Sequence, residues 1–257
     1  MQAIQDILWK TIEFFTQIAG NNYGLGIILL AIAIKAVLYV PTQQQFRAMK
    51  DMAAIQPEIK KLQERHKGDP KKLQTEQMEL FKRHKINPLG GCLPILIQLP
   101  ILWGIWSTIS KHTAAFDNAS FLWINKTTAA AFNFEIPVLK ISFIGANLGQ
   151  ADFIMLILYA FSMYLSQKLT VMDKATADKQ KMMTIMMPVV FTFILAKFPS
   201  ALILYWLTFN LLSVIQQMMI MKEPSRVALS IQNGGIIDAP GPEKDKNSGK
   251  KEEVKIG

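Results

Sequence analysis

One charged side chain, Lys35, stands inside an apolar run that extends from Leu25 to Val40. It falls about ten residues into the helix this run predicts, which at ~1.5 Å per residue is near the middle of a ~30 Å hydrocarbon layer. A lysine at that depth costs at least ~2.5–3.5 kcal/mol, so it must snorkel, pair with another span, or face a hydrated cavity or a visiting partner. The other apolar runs hold no Asp or Glu, which removes an intramembrane ion pair and leaves a cavity or a visitor as the better reading. Five further polar or amphipathic residues, Gln98, Ser166, Gln167, Trp206 and Asn210, lie within or at the ends of those runs. Each alone reads as interhelical hydrogen bonding. Together with Lys35 they outline a polar, cationic groove suited to holding a polar or acidic peptide segment for a short time.

The residue patterns of enzymes are missing. There is no phosphate-binding glycine loop ending in Lys and Ser or Thr, no HExxH, and no pair of intramembrane carboxylates, and His66, His84 and His112 are scattered. No catalytic residue, metal site or cofactor is expected, and no small-molecule substrate. The net charge of +9 comes from basic residues in the polar segments between apolar runs, where a topology signal places them, so nucleic acid is a poor candidate partner. The single cysteine, Cys92, cannot form an intrachain disulfide.

The elements that must position Lys35 follow from hydropathy. Of the 257 residues 51% are hydrophobic and the mean hydropathy is +0.22, and the apolar residues are clustered, so an all-α polytopic membrane protein is predicted. The first span runs from Tyr23 to Phe46, the second from Pro88 to Ser110 with Pro94 and Pro100, and the third from Phe153 to Leu169. The fourth, Met182 to Ala196, contains Pro188, and the fifth, Ala201 to Met221, follows after Phe198-Pro199-Ser200. Residues 1–22 read as an amphipathic helix in the membrane interface, with Trp9 suited to that depth, and not as a secretory signal or lipoprotein anchor.

Residues 47–87 form a polar helical hairpin turned at Gly68, Asp69 and Pro70. Met52, Ile55, Ile59 and Leu62 fall on one face, and Leu73, Gln77, Leu80 and Phe81 on another. So small a hydrophobic face predicts a mobile hairpin. The 111–152 loop carries Phe121-Leu122-Trp123-Ile124, a run suited to the lipid interface. From residue 222 to 257 Gly, Pro, Lys and Glu dominate, and this tail is predicted to be disordered. The hairpin holds eleven Lys and Arg, from Arg47 to Lys85, whereas the 111–152 loop holds only Lys111, Lys126 and Lys140. That asymmetry predicts a cytoplasmic hairpin, the amino terminus outside and the tail inside.

Several motifs are more specific. Asn87-Pro88-Leu89-Gly90-Gly91-Cys92-Leu93-Pro94 with Gln98-Leu99-Pro100 resembles the second core helix of the YidC/Oxa/Alb membrane protein insertases. Phe198-Pro199-Ser200-Ala201-Leu202, Tyr205-Trp206, Asn210 and Gln216-Gln217 resemble that family's last helical hairpin, and Tyr23-Gly24-Leu25 and Phe121-Leu122-Trp123 also match. The resemblance covers Asp6 to Met221 and fits a short bacterial form without the large extracytoplasmic domain. It implies five helices around a hydrophilic groove open to cytoplasm and lipid, in a bacterial cell membrane, and insertion of nascent membrane proteins into the bilayer without ATP, alone or with the Sec translocon. It further implies that Lys35 takes the place of the groove's positive residue, usually arginine, that Gln98, Ser166 and Trp206 take groove positions, and that a basic tail contacts the ribosome. Two other classes fit an intramembrane cation: a small-solute transporter or channel, which requires a continuous pore or alternating access, and an assembly factor that only holds other membrane proteins together.

Overall fold

The structure is a computed structural model and describes residues 2–87, 93–132, 134–170 and 177–232. The Pro88 to Cys92 part of the second-span motif and the basic tail beyond residue 232 lie outside these residues. Twelve helices and one small sheet are present among the described residues.

Helix α1 (Gln2–Ile18) turns by 119° into α2 (Tyr23–Val37). The turn is made at Gly20 and Asn21, both at positive φ, and Asn22 then caps α2 by accepting from the Leu25 amide at 3.0 Å. One face of α1 packs on α2 and on α6 (Leu93–Lys111): Ile12 is fully buried, Gln5 hydrogen-bonds Ser107, and Trp9 stacks on His112 at 3.7 Å. Ile4, Ile7, Phe14 and Ile18 remain exposed on α1. Helix α2 needs glycine at two places, one against the 111–152 loop and one against α1. A Cβ on Gly24 would strike the Phe121 ring and one on Gly26 would strike Thr16 Oγ1.

The first predicted span is two helices, not one. Pro41 has no N–H to give the carbonyl of Val37, and its ring crowds that carbonyl. Helix α2 accordingly ends at Val37, Leu38 adopts φ −86 and ψ 5, and α3 (Tyr39–Ala54) begins beyond it. By length and apolarity, one stretch of the described residues can cross a bilayer unaided: Ser200–Ile231, which contains α11 (Ser200–Lys222). The α1 and α2 pair passes the same test jointly, and Phe153–Leu169 and Ile185–Leu195 are apolar but shorter.

The main core gathers at the end of the bundle that carries the 111–152 loop. Ile27, Leu30 and Ala31 of α2 meet Ile105 and Ile109 of α6, Met155 and Leu156 of α9 (Phe153–Thr170), and the unbroken buried run Ala201 to Tyr205 of α11. The loop folds into this core through short helices α7 (Thr113–Asp117) and α8 (Lys126–Ala131) and a two-residue antiparallel pair, β1 (Glu135–Ile136) with β2 (Ile141–Ser142). The fold is thus mostly helical with one small sheet. Phe121 and Ile124 pair across a tight turn at Leu122 (φ 52) and point into the core, while Leu122 is exposed, so only part of this run is free to meet lipid.

Asp152 organises this end. It is fully buried and accepts from the amides of Gly145 (2.8 Å) and Met155 (2.6 Å) and from Trp123 Nε1 (3.2 Å), capping α9 and tying two parts of the loop to it. The first turn of α11 docks on the same loop, with the Ser200 and Ala201 amides donating to the carbonyls of Gln150 and Leu148. Together with the apolar core, these contacts seal this end of the bundle.

At the other end α3 runs into the hairpin of α4 (Gln56–Arg65) and α5 (Pro70–Arg83). The sequence understates its apolar face: Ile55, Ile59, Leu80 and Ile86 form a small core of their own. His66 meets Glu76 at 2.9 Å and His84 meets Glu58 at 3.3 Å, pairing the two helices at both ends. The predicted disorder from residue 222 is corrected for α12 (Arg226–Gln232). Ser225 caps α12 at the Ala228 amide and donates to Asp51 at 2.8 Å, while Val227 enters the hairpin core, so the segment has both a cap and a burial site.

Asp152→Ala strands three donors and is expected to destabilise the protein by about 2–4 kcal/mol, with Asp152→Asn costing roughly half. Thermal unfolding in detergent checks this; a midpoint unchanged in Asp152→Ala would contradict it.

Candidate functional site

Between α3, α6, α9, α10 (Ala177–Leu195) and α11 lies a groove of about 560 Å³. Its lining reaches from Leu38, Thr42 and Gln45 past Asn87 to Gln98, Tyr159, Ser166, Gln167, Met187, Phe191, Trp206, Asn210 and Ser213. Five of the six residues singled out in the sequence therefore line one space. It lies on the hairpin side of the sealed core, because Thr42, Gln45, Ala48 and Asn87, at the roots of the hairpin, form part of its wall.

Lys35 is placed differently from its expected position. It is only 6% exposed and does not line the groove. Its Nζ lies behind the wall, donating to Ser213 Oγ at 2.7 Å and to Thr42 Oγ1 at 3.5 Å, with the Phe209 ring centroid at 4.9 Å and the Phe46 centroid at 5.8 Å. All four of these neighbours line the groove. No Asp, Glu, Lys or Arg is among the described lining residues, so the predicted cationic groove is an uncharged polar and apolar groove with a cation one layer beneath it.

Two features favour the buried ammonium in the absence of a carboxylate. Ending α2 at Val37 puts Lys35 in the helix's last turn, where the carbonyl end of the dipole attracts a cation by about 0.3–1 kcal/mol, and up to ~2 kcal/mol when partly buried. Hydroxyl oxygens and aromatic faces replace part of its lost hydration. The hydroxyls are themselves anchored. Ser213 donates to the carbonyl of Phe209 at 2.8 Å, and Thr42 lies 2.8 Å from both the Leu38 carbonyl and Gln216 Oε1. Gln216 in turn donates to the Tyr39 carbonyl at 3.0 Å, so one side chain of α11 holds the first turn of α3 just beyond the break.

Helix α11 is the hub of this polar system. Asn210 donates to Ser162 of α9 at 2.9 Å, Gln217 meets Ser166 at 3.5 Å, and Tyr205 accepts from Gln98 of α6 at 3.3 Å. Trp206 packs between Tyr159 and Phe191, its ring 5.6 and 6.0 Å from theirs. Thr42, Ser213 and Gln216 escaped the sequence reading as site residues. The signal was spacing: Thr42 lies seven residues after Lys35, and Ser213 three after Asn210, each close to a whole number of turns.

A family model described as 60Kd inner membrane protein matches residues 14–226. The chain belongs to that family. Among curated relatives, the membrane protein insertase YidC of Francisella tularensis subsp. novicida (strain U112) is 37% identical over 220 residues, covering 84% of this chain and 35% of that protein. The membrane protein insertase YidC of Geobacter sp. (strain M21) is 34% identical over 214 residues, covering 82% of this chain and 35% of that protein. This chain thus spans about a third of the length of these relatives. A solved structure titled "Active YidC insertase crystal structure with the first transmembrane domain resolved" shares the fold, with a TM-score of 0.61 at 24% identity over 87% of this chain and 46% of that one. The motif resemblance read from the sequence is borne out, and membership of the 60Kd inner membrane protein family makes this a membrane protein.

A buried cation without a carboxylate partner among the described residues is a stability cost. Lys35→Met keeps the side-chain length, and Ser213 and Thr42 retain their carbonyl acceptors, so the variant should be more stable by about 1–3 kcal/mol. A higher thermal midpoint in detergent is the expected outcome. A lower one would show that the ammonium's contacts outweigh its desolvation.

Proposed function

We propose that this chain is a membrane protein insertase in which the groove receives the polar flank of a client while the client's hydrophobic segment stays against lipid. The observation that carries the reading is the groove itself, polar and uncharged among the described lining residues, sealed on the side of the 111–152 loop, and backed by a lysine with no acid among the described residues to neutralise it. The relatives' names support an insertase over a solute transporter. The chain acts as five spans with the hairpin and carboxyl terminus in the cytoplasm, the amino terminus outside, and α1 in the outer interface of a bacterial inner membrane. Its partners are nascent membrane proteins, the lipid bilayer and the Sec translocon, with the basic tail reaching the ribosome.

Magnitudes explain why no chemical fuel is needed. A segment of about 20 apolar residues gains roughly 6–12 kcal/mol on entering the bilayer. Each acidic residue carried through the middle costs about 3 kcal/mol on the same scale, and an inside-negative potential returns about 2.3 kcal/mol per charge per 100 mV. Insertion is therefore downhill, and what the client lacks is a low barrier. Groove amides and hydroxyls, water and a nearby cation lower it by solvating the flank along the way.

Proteoliposomes containing only this protein should protect the acidic outer tail of a small single-span client from added protease. Lys35→Arg should retain most of this activity, and Lys35→Ala should lose about tenfold with acidic tails. Protection no better than in empty liposomes would rule out the insertase reading, and full activity in Lys35→Ala would show that the buried cation takes no part in insertion.

A further inference from the structure

The proposed insertion reaction leaves one feature unexplained: the cation sits beneath the groove wall. Ser213 and Thr42 each present a hydroxyl to Nζ and a surface to the groove. Each is fixed from behind, Ser213 by the Phe209 carbonyl and Thr42 by the Leu38 carbonyl and Gln216. Phe46 and Phe209, which also line the groove, have ring centroids 5.8 and 4.9 Å from the ammonium. A lysine has a flexible four-carbon stem, and a short reorientation of its χ angles would bring Nζ through the wall once its hydroxyl acceptors are given up.

We propose that Ser213 and Thr42 are positioning residues that hold the Lys35 ammonium in a retracted state, so that a client carboxylate must outcompete two hydroxyls to draw it into the groove. This inference rests on the insertase reading for its consequence, though not for its geometry. The hydroxyls then set selectivity. A carboxylate is a stronger acceptor for an ammonium than a neutral hydroxyl, whereas an amide or a second hydroxyl is not. Acidic flanks would draw Lys35 out, and neutral flanks would pass beside it. Weakening the hold should make the cation available more often and raise the preference for acidic flanks, which is opposite to the effect of removing the charge.

The test has two readouts on the full chain in liposomes. The first is labelling of Lys35 by a small water-soluble amine reagent, followed by mass spectrometry with exposed Lys61 as internal reference. Lys35 in the unchanged protein should label slowly. Ser213→Ala should speed its labelling about tenfold, the effect of losing one hydrogen bond to a charged group, and Thr42→Val should speed it less. Ser213→Thr keeps the hydroxyl and should stay at the unchanged rate. The second readout is insertion of two clients that differ only in Asp or Asn in the outer flank, where Ser213→Ala should raise the acidic-to-neutral ratio severalfold. Unchanged Lys35 labelling in both Ser213→Ala and Thr42→Val would overturn the proposal even if insertion proceeds. Faster labelling with no insertion of any client would uphold the retraction and count against the insertase reading instead. If Ser213→Ala fails to fold, Thr42→Val and Ser213→Thr still decide the matter by the same labelling ratio.

Discussion

A cation buried among helices has to be solvated by something, and in this protein no carboxylate among the described residues does it. The solution is distributed over three elements. A proline ends α2 two residues after Lys35, which turns the carbonyl end of a helix dipole toward the ammonium. Thr42, one turn into α3, and Ser213 of α11 supply hydroxyls, and Phe46 and Phe209 supply ring faces. None of these can move far without exposing the charge to an apolar surrounding. The lysine thereby fixes the register between α2, α3 and α11.

That register explains why α11 dominates the bundle. Its first turns are buried, with Ala201 to Leu204 all apolar, sealing the end beneath the 111–152 loop, and its later turns carry Asn210, Ser213, Gln216 and Gln217 toward different neighbours. Polar contacts of this kind contribute about 0.6–2 kcal/mol each between membrane helices, so their number matters more than any one of them. The change from apolar to polar along one helix divides the bundle into a closed half and a half with a groove. The hairpin is attached to the same helix: Lys50 is buried with its Nζ on the carbonyl of Ile220 at 2.6 Å, Arg47 meets Glu223 at 3.5 Å, and α12 plugs the hairpin core.

Much of this was legible in the sequence because hydropathy and helical periodicity are local signals. Helices over the apolar runs, the amphipathic first helix and the turn at Gly68, Asp69 and Pro70 appear among the described residues, although the first run is broken at Leu38 and only Ser200–Ile231 is long and apolar enough to cross a bilayer unaided. The groove residues were legible as polar groups in apolar surroundings, and Gln98, Ser166, Gln167, Trp206 and Asn210 line one space in the structure. What escaped depends on distance through space. The span predicted from Tyr23 to Phe46 runs through Pro41, the residue that gives Lys35 a helix terminus. Asp152 looked like a loop boundary, since nothing local reveals that Gly145 and Trp123 return to it. Helix α12 was missed because seven residues after a proline carry too little periodicity to outweigh a polar composition, and only the hairpin supplies the partner for Val227.

The central claim is that a client's polar flank occupies this groove while it crosses. The most direct measurement places a photoreactive amino acid at Gln98 or Trp206 in the groove, or at Phe193, which is 54% exposed and outside it. A client stalled during insertion is then irradiated and the crosslinked client residues are mapped. Adducts between the polar flank and positions 98 and 206, with position 193 reaching the flank rarely or not at all, are the result this account requires. A flank captured from position 193 as readily as from the groove would contradict it.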